Sequence, residues 1–483
     1  MIELEICVDL SLILIDNNTN SSKIWEKLME NSKENNKNLY IYEAPLSMAD
    51  TAPLGFQHVV AMVVGCITPA LIISGGAGLS PEDKVLLVQS SLIFAGLATL
   101  LQNFGLFGKL GSKLPVIMGV GFAYVSTLSA IVKNAIGAGF DGPKAMAVVF
   151  GAQLVGGIIA MFFGLFVKKL TKFFPPLVTG TVILSIGLGL YPVAVRYMAG
   201  GGNIDSNPNF GSLKNWAVAL ITLAVVLLCN NFGKGSIKLA SILIGVVAGY
   251  LVSIPLGMVN FSSIANAGLV QVPKPMHFGF EFVPSAIISL GILHIVNSIQ
   301  AIGDLTATTQ GGMDRLPTDD ELQGGIIGYG FSSLVGSIFG CMPLSTFSQN
   351  VGIVTLNKCI NRKIFVFSSI LVIIAGLLPK ISAVLTTIPQ AVLGGATISV
   401  FATISMTGVK MVSGAGLNPR NIGVVGIALA IGEGIVRVPG SLTGFPQMII
   451  DVFGTSATST TTLIAVVLNL ILPQVIENNS KNE

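Results

Sequence analysis

Long apolar segments, separated by short loops that hold most of the charged residues, dominate the chain after residue 48. Only 10% of the residues are charged, whereas soluble domains carry about 25%. Every backbone polar group in the bilayer core must be hydrogen-bonded internally, so segments of this length are expected to span as helices. We therefore predict an all-α polytopic membrane protein. The fourteen predicted segments are 54–76, 84–103, 114–132, 145–168, 175–196, 215–230, 236–257, 283–303, 323–341, 343–358, 362–379, 389–410, 420–436 and 443–473, the last with a break near Gly454.

Both ends of the chain are polar, and the basic residues favour one orientation in the membrane. Residues 1–48 form a tail in which 22–33 is predicted to be an interfacial helix, and residues 475–483 form a second tail. If both termini are cytoplasmic, most of the 26 Lys and Arg residues fall on that side, as the positive-inside rule requires. We expect a multi-pass protein of the plasma membrane, within the lipid bilayer. No cleavable signal peptide is expected, because the first apolar run follows Glu3 and Glu5.

Cysteine spacing and polar clusters argue against a metal site, a cofactor or an enzyme. The five cysteines (Cys7, Cys66, Cys229, Cys341 and Cys359) are scattered, and no pair has the spacing of a metal site or a disulfide. The sequence contains no recognisable nucleophile–base pair or phosphate-binding loop. A formal net charge of +3 is too small to indicate nucleic-acid binding. The sequence therefore predicts a protein that is not an enzyme and that binds no metal, cofactor or nucleic acid.

Two pairs of segments share proline and glycine positions. In the fifth and twelfth segments Pro175 matches Pro389 and Gly180 matches Gly394, and the third and tenth segments each begin with a glycine shortly before a proline. The members of both pairs lie seven segments apart, and an odd offset inverts the second copy. The pattern predicts two inverted repeats of seven. Val120, Phe122 and Tyr124 after Pro115 favour a short β-strand in segment three, in which alternation would place Phe122 and Tyr124 on one face. A second short strand in segment ten is predicted to pair with it across the middle of the membrane.

One stretch of the tenth segment, CMPLSTFSQNVGIVT at 341–355, is polar in very apolar surroundings. Irregular polar backbone at membrane depth is tolerated where it is buried in protein or lines a cavity. Gln349 and Asn350 each offer a carbonyl acceptor and an amide donor, which suits the edge of a flat, neutral heterocycle. In the alternative interpretation, both amides satisfy neighbouring backbone in a broken helix. We interpret the stretch as half of a substrate site.

Four motifs resemble one family of transporters. They are GFQHVVAM at 55–62, QNFG at 102–105, QAIGDLTATTQ at 300–310 and TFSQNVG at 346–352. On these motifs, the chain after residue 48 resembles the nucleobase–ascorbate transporter family, in particular its bacterial xanthine and uric acid permeases. The resemblance implies fourteen spans in a seven-plus-seven inverted repeat, and a homodimeric proton symporter that moves its substrate inward. It also implies a core domain at 49–174 and 279–380 and a gate domain at 175–278 and 381–474.

The resemblance implies substrate-binding roles for residues in three segments. These candidates are Gln300, Gln349, Asn350, Tyr124 and Ala123, and Phe122 and Ser348 are added because they adjoin them in the predicted strand and the polar stretch. Gln349 is expected to make a bidentate amide contact with a purine, whereas Glu at this place resembles the uracil branch. Asn350 is expected to support the substrate-contacting residues rather than to contact the substrate itself. Tyr124 matches the family's stacking position, and Ala123 matches its size-determining position, where a small side chain leaves room for uric acid.

Gln300 departs from the family pattern, because members usually carry Glu at this place. A glutamine can hydrogen-bond a purine but cannot titrate. Asp304 lies one helical turn later on the same face and is therefore predicted to carry the coupled proton; in the alternative interpretation it is a buried carboxyl that caps or pairs locally. Thr308, a further turn along, is predicted to hydrogen-bond back to it. His58, a lone intramembrane histidine, is expected either to organise this network or to be a packed core residue.

Other functions within the same fold stay open at this point. An uncoupled purine facilitator is favoured by the neutral Gln300, and coupling to sodium is a lesser variant of the proton symporter. A uracil permease is disfavoured by Gln349. An anion exchanger is disfavoured because no intramembrane Lys or Arg lies in the third or tenth segment. The sequence therefore predicts a purine nucleobase, xanthine and/or uric acid, as substrate and the proton as coupling ion.

Overall fold

The computed structural model of the protein describes residues 39–170, 175–202, 207–261, 264 and 268–473. The helix predicted at 22–33 and the tail predicted at 475–483 lie outside these residues. The described chain folds into helices and one two-stranded sheet. The helices are α1 (Met48–Gly76), α2 (Pro81–Phe104), α3 (Val125–Gly137), α4 (Gly142–Leu165), α5 (Val167–Leu170), α6 (Pro176–Met198), α7 (Leu213–Phe232), α8 (Ser236–Leu239), α9 (Ser241–Ser253), α10 (Pro284–Met313), α11 (Asp319–Ile338), α12 (Ser348–Asn357), α13 (Arg362–Leu377), α14 (Pro379–Thr386), α15 (Gln390–Gly414), α16 (Pro419–Arg437), α17 (Gln447–Phe453) and α18 (Ala457–Ile471).

Eight of the described helices are long and apolar enough to cross a membrane, namely α1, α2, α4, α6, α7, α10, α15 and α16. Two bent pairs, α13 with α14 at 80° and α17 with α18 at 94°, raise the number to ten when each pair counts as one span. The second bend follows Phe453, so the predicted break near Gly454 is confirmed. The protein is a mostly helical, multi-pass membrane protein.

Segments three and ten do not run through the membrane as single helices. Each begins with extended backbone and continues into a short helix, α3 with 13 residues and α12 with 10 residues. Pro115 and Pro343 stand where each segment begins. Proline lacks a backbone N–H and disfavours helical backbone in the residue before it, so extended entry is the expected local outcome. The seventh predicted segment is also short, since it contains only α8 and the 13-residue α9.

A small antiparallel sheet joins segments three and ten. Strand β1 (Met118–Val120) pairs with β2 (Leu344–Thr346), with Gly119 opposite Ser345. All six residues are buried. The outer edge of β1 is satisfied by a side chain, because the Met118 N–H donates to Thr99 Oγ1 at 2.9 Å. Since α1, α2, α10 and α11 pack around the two strands, the polar backbone is shielded as a structure inside a membrane requires.

The strand in segment three ends earlier than the sequence predicts. Phe122, Ala123 and Tyr124 form a turn of 3₁₀-helix rather than strand, so the expectation that alternating strand residues share a face is wrong for them. The reason lies in the partner strand. The Gly121 N–H donates to Pro343 O at 2.9 Å, but Pro343 has no N–H to return, and the ladder cannot continue past this pair.

Gly119 allows the sheet to lie close to α1. A Cβ atom at this position would lie 2.7 Å from Cys66 Sγ and 2.9 Å from Phe347 Cδ2. We therefore expect Gly119→Ala to lower the stability of the protein by about 1–3 kcal/mol, because overpacking displaces the strand. Thermal unfolding in detergent measures the change in Tm. Gly434→Ala on α16 is the matched control, because nothing lies within 4 Å of its added Cβ; an equal Tm for both variants would contradict the packing argument.

Candidate functional site

A cavity of about 610 Å³ lies beside the end of the sheet. One wall is formed by β2, the start of α12, the turn after β1 and the middle of α10. The other wall is formed by α6 and α15, which pack closely against each other. The cavity therefore collects residues from five separate regions of the chain, 120–123, 176–186, 299–304, 345–349 and 400–411.

The first wall is polar, and several of its members come from the predicted site. Gln300 and Asp304 lie one turn apart on α10, and Ser348 and Gln349 occupy the first turn of α12. Ser348 and Gln349 are exposed to the cavity, whereas Asp304 is only 9% exposed. The structure thus brings together two primary amides, a hydroxyl and a carboxyl from two regions of the chain, 300–304 and 348–349.

The carboxyl of Asp304 is held by two hydroxyl groups. Ser348 donates to Asp304 Oδ1 at 2.8 Å, and Thr346 donates to Oδ2. Thr308 hydrogen-bonds back to Asp304, but its hydroxyl donates to the main-chain oxygen at 2.8 Å and not to the carboxyl. That bond is the ordinary back-bond of a helical threonine to the carbonyl four residues earlier. Asp304 is the only ionisable side chain among the described residues of the cavity wall.

Asn350 and His58 lie behind the wall rather than in it. The Asn350 amide donates to His58 Nδ1 at 3.0 Å and to the main-chain oxygen of His58 at 3.1 Å. Both side chains are buried, and the His58 ring packs against Phe365 at 4.9 Å between centroids. The pair fastens the start of α12 to α1, which fits the supporting roles expected of both residues.

The aromatic position in the wall differs from the predicted one. Phe122 and Ala123 line the cavity. Tyr124 is fully buried away from it, with its hydroxyl hydrogen-bonded to Tyr329 and its ring 5.0 Å from the ring of His294. The 3₁₀ turn explains the difference, because three successive residues of such a turn point in three directions rather than alternating between two. Phe122, whose ring meets Phe401 edge-on at 5.4 Å, and Phe347 are the aromatic residues among the described residues that line the cavity.

The wall formed by α6 and α15 was not anticipated from the sequence. It is apolar apart from three threonines. Thr403 and Thr407 are one turn apart on α15, and this i, i+4 spacing is a signal that the sequence contains. The wall residues are Pro176, Thr179, Ile183, Ile186, Val400, Thr403, Ile404, Thr407 and Met411.

The described residues contain no group of three or more His, Cys, Asp or Glu side chains that could hold a metal ion. The cavity can form hydrogen bonds with a ligand, because Gln300 and Gln349 can each donate and accept. A single carboxyl can bind and release one proton. The site is suited to binding a polar molecule through hydrogen bonds, and its described wall residues offer one titratable group, Asp304.

Comparison with known proteins agrees with these features. The family model Xan_ur_permease, described as a permease family, matches residues 49–441. The uric acid permease PucJ of Bacillus subtilis is 36% identical over 428 residues, covering 86% of this chain and 91% of that protein. The xanthine permease of Bacillus subtilis is 35% identical over 429 residues, covering 87% and 93%. Among solved structures, the transmembrane domain of the cyanobacterial bicarbonate transporter BicA matches with a TM-score of 0.54 at 14% identity, covering 87% of this chain and 97% of that chain, which is a likeness of fold alone. The chain therefore belongs to the nucleobase–ascorbate transporter family, in its branch of xanthine and uric acid permeases, and is a transporter rather than an enzyme.

Proposed function

We propose that the protein is a secondary active transporter that imports a purine nucleobase, xanthine and/or uric acid, by proton symport. The observation that carries this proposal is the polar wall of the cavity, where Gln300 and Gln349 lie beside Asp304. Two amides can read the carbonyl and N–H groups on the edge of an oxopurine. A carboxyl at membrane depth is expensive and is a functional group by default.

The substrate class rests on the amides and on the relatives. Gln349 suits a neutral ring edge, and the relatives named above are a uric acid permease and a xanthine permease. Uracil is less well supported, because Glu in place of Gln349 resembles the uracil branch of the family.

The coupling ion is proposed to be the proton, carried by Asp304. Its carboxyl already has two hydroxyl partners, from Thr346 and Ser348, which hold it in place in either protonation state because a hydroxyl can donate or accept. Sodium is less well supported, since the described wall offers only one negatively charged side chain to balance the cation.

The proposed layout is fourteen spans in two inverted repeats of seven, with both termini in the cytoplasm and the protein in the plasma membrane. The strand pair supports it, because β1 and β2 follow prolines in segments seven apart. The core domain (49–174 and 279–380) would rock against the gate domain (175–278 and 381–474) to give alternating access. A homodimer is proposed, with contacts in the gate spans α6 and α15.

Uptake of radiolabelled xanthine and uric acid into proteoliposomes tests the function. We expect accumulation above the external concentration only when an inward proton gradient is imposed. A protein that carries neither purine would refute the substrate class. One that equilibrates a purine but never accumulates it, under a proton or a sodium gradient, would instead be an uncoupled facilitator, the second candidate, which the neutral Gln300 favours.

Ala123→Val is expected to reduce uptake of uric acid more than uptake of xanthine. Ala123 lines the cavity, and uric acid carries one carbonyl oxygen more than xanthine, so the smaller cavity excludes the larger purine first. We expect the ratio of kcat/KM for xanthine to that for uric acid to rise roughly tenfold, as a steric clash of about 1.4 kcal/mol would produce. Ala402→Val, at an exposed position of α15 outside the wall, is the control. An unchanged ratio in Ala123→Val would show that this position does not set substrate size.

A further inference from the structure

The wall of α6 and α15 is almost wholly apolar, but it presents two hydroxyl groups one turn apart. Thr403 and Thr407 both line the cavity and are exposed. Their neighbours on the same face of α15 are Val400, Ile404 and Met411. The opposite wall carries Gln300 and Gln349. A ligand bound to those amides would turn its other side towards the two threonine hydroxyls.

Both hydroxyls can only accept hydrogen bonds from the cavity. Thr403 Oγ1 donates its hydrogen to the main-chain oxygen of Ser399 at 2.9 Å, and Thr407 Oγ1 donates to that of Thr403 at 2.9 Å. A hydroxyl group has one hydrogen and two lone pairs, so each oxygen presents lone pairs alone to the cavity. The two walls therefore differ, because Gln300 and Gln349 on the first wall can donate as well as accept.

This asymmetry matches the two sides of an oxopurine. The pyrimidine ring of xanthine or uric acid alternates carbonyl and N–H groups, which a donor–acceptor amide can read. A purine held there turns its imidazole ring towards the opposite wall, and that ring carries at least one N–H. We propose that Thr403 and Thr407 form an acceptor subsite for the imidazole N–H of the purine, and that this subsite selects substrates with a hydrogen on that ring. The inference rests on the proposed purine transport.

Competition against uptake of radiolabelled xanthine in proteoliposomes tests the subsite. The competitors are unlabelled xanthine, the two xanthines methylated on an imidazole nitrogen, and one methylated on the pyrimidine ring. Valine has the shape of threonine without the hydroxyl. The double variant Thr403→Val/Thr407→Val is expected to weaken competition by xanthine roughly tenfold, because the imidazole N–H is then left unpaired, and each single variant is expected to have a smaller effect in the same direction. Competition by at least one imidazole-methylated xanthine is expected to stay the same, so that the wild-type preference for xanthine over that analogue disappears.

Two variants separate this subsite from a structural effect. Thr306→Val on α10 removes a hydroxyl with the same type of back-bond, to Ile302 O at 2.8 Å, outside the cavity wall, and should leave the preference intact. Thr403→Ser keeps a hydroxyl and should also retain it. If the valine variants weaken xanthine and its imidazole-methylated analogues equally, or change neither, the acceptor subsite is refuted. If the wild-type protein takes up no xanthine, the proposed function fails instead.

Discussion

Replacing Asp304 with asparagine is expected to abolish accumulation of purine above equilibrium while leaving exchange of purine across the membrane. Asparagine has nearly the shape of aspartate and keeps hydrogen-bonding atoms for Ser348 and Thr346, whose hydroxyls can accept as well as donate. It cannot bind and release a proton. Asp304 is the only ionisable side chain on the described cavity wall, so no neighbouring group there replaces it. Radiolabelled xanthine in proteoliposomes with an inward proton gradient should therefore stop at the external concentration in the variant.

Ser348→Ala is the matched control for Asp304→Asn. It removes the 2.8 Å hydrogen bond to the carboxyl but keeps the titratable proton. We expect it to slow uptake by roughly tenfold at most, as the loss of one hydrogen bond would, and still to accumulate purine. Accumulation by Asp304→Asn would place the coupled proton on another group. Loss of exchange together with accumulation would mean that the carboxyl is needed for substrate binding or for the conformational change, and not for coupling alone.

Much of the fold follows from the apolar segments, because burial and backbone hydrogen bonding in a bilayer leave few choices for such sequences. The break near Gly454 could be read from local sequence in the same way. The residue at which β1 ends could not be predicted from local sequence. It depends on Pro343, a residue more than 200 positions away that stands opposite Gly121 and cannot continue the ladder. Local propensity cannot report a constraint that a distant partner imposes.

The candidate site shows the same division between local and distant information. Helical spacing alone places Gln300 and Asp304 on one face of α10, and both line the cavity. The hydroxyl groups that bind the Asp304 carboxyl, in contrast, come from β2 and α12, whereas the Thr308 hydroxyl donates to a main-chain carbonyl of its own helix. Tyr124 turns into the core because the backbone changes from strand to 3₁₀ turn at Phe122. Which side chains line the cavity depends on such turns, whereas a prediction from helix or strand periodicity assumes that the backbone contains no turn.

Gln349→Glu is expected to weaken xanthine binding by roughly 100-fold, the largest loss of binding that we expect from a single substitution in this cavity. Gln349 is exposed to the cavity at the start of α12. Glutamate keeps the shape of the side chain but removes both N–H donors, so a purine carbonyl that faced them would meet a carboxylate instead. The substitution also adds a second acidic group to a wall that already carries Asp304. Competition by unlabelled xanthine against labelled xanthine, at constant pH, measures the change.

Gln323→Glu provides the control, because it makes the same change of amide to acid near the start of α11. Gln323 lies outside the cavity wall, where its amide donates to Leu165 O at 3.3 Å. Its xanthine affinity should equal that of the wild type. Uptake of uracil by Gln349→Glu would add to the argument, since Glu at this place resembles the uracil branch. The loss of one hydrogen bond would lower xanthine affinity by more than about twofold. A smaller decrease would therefore mean that Gln349 does not contact the purine. Gln300, the other amide on the described wall, would then be the residue that binds the edge of the purine.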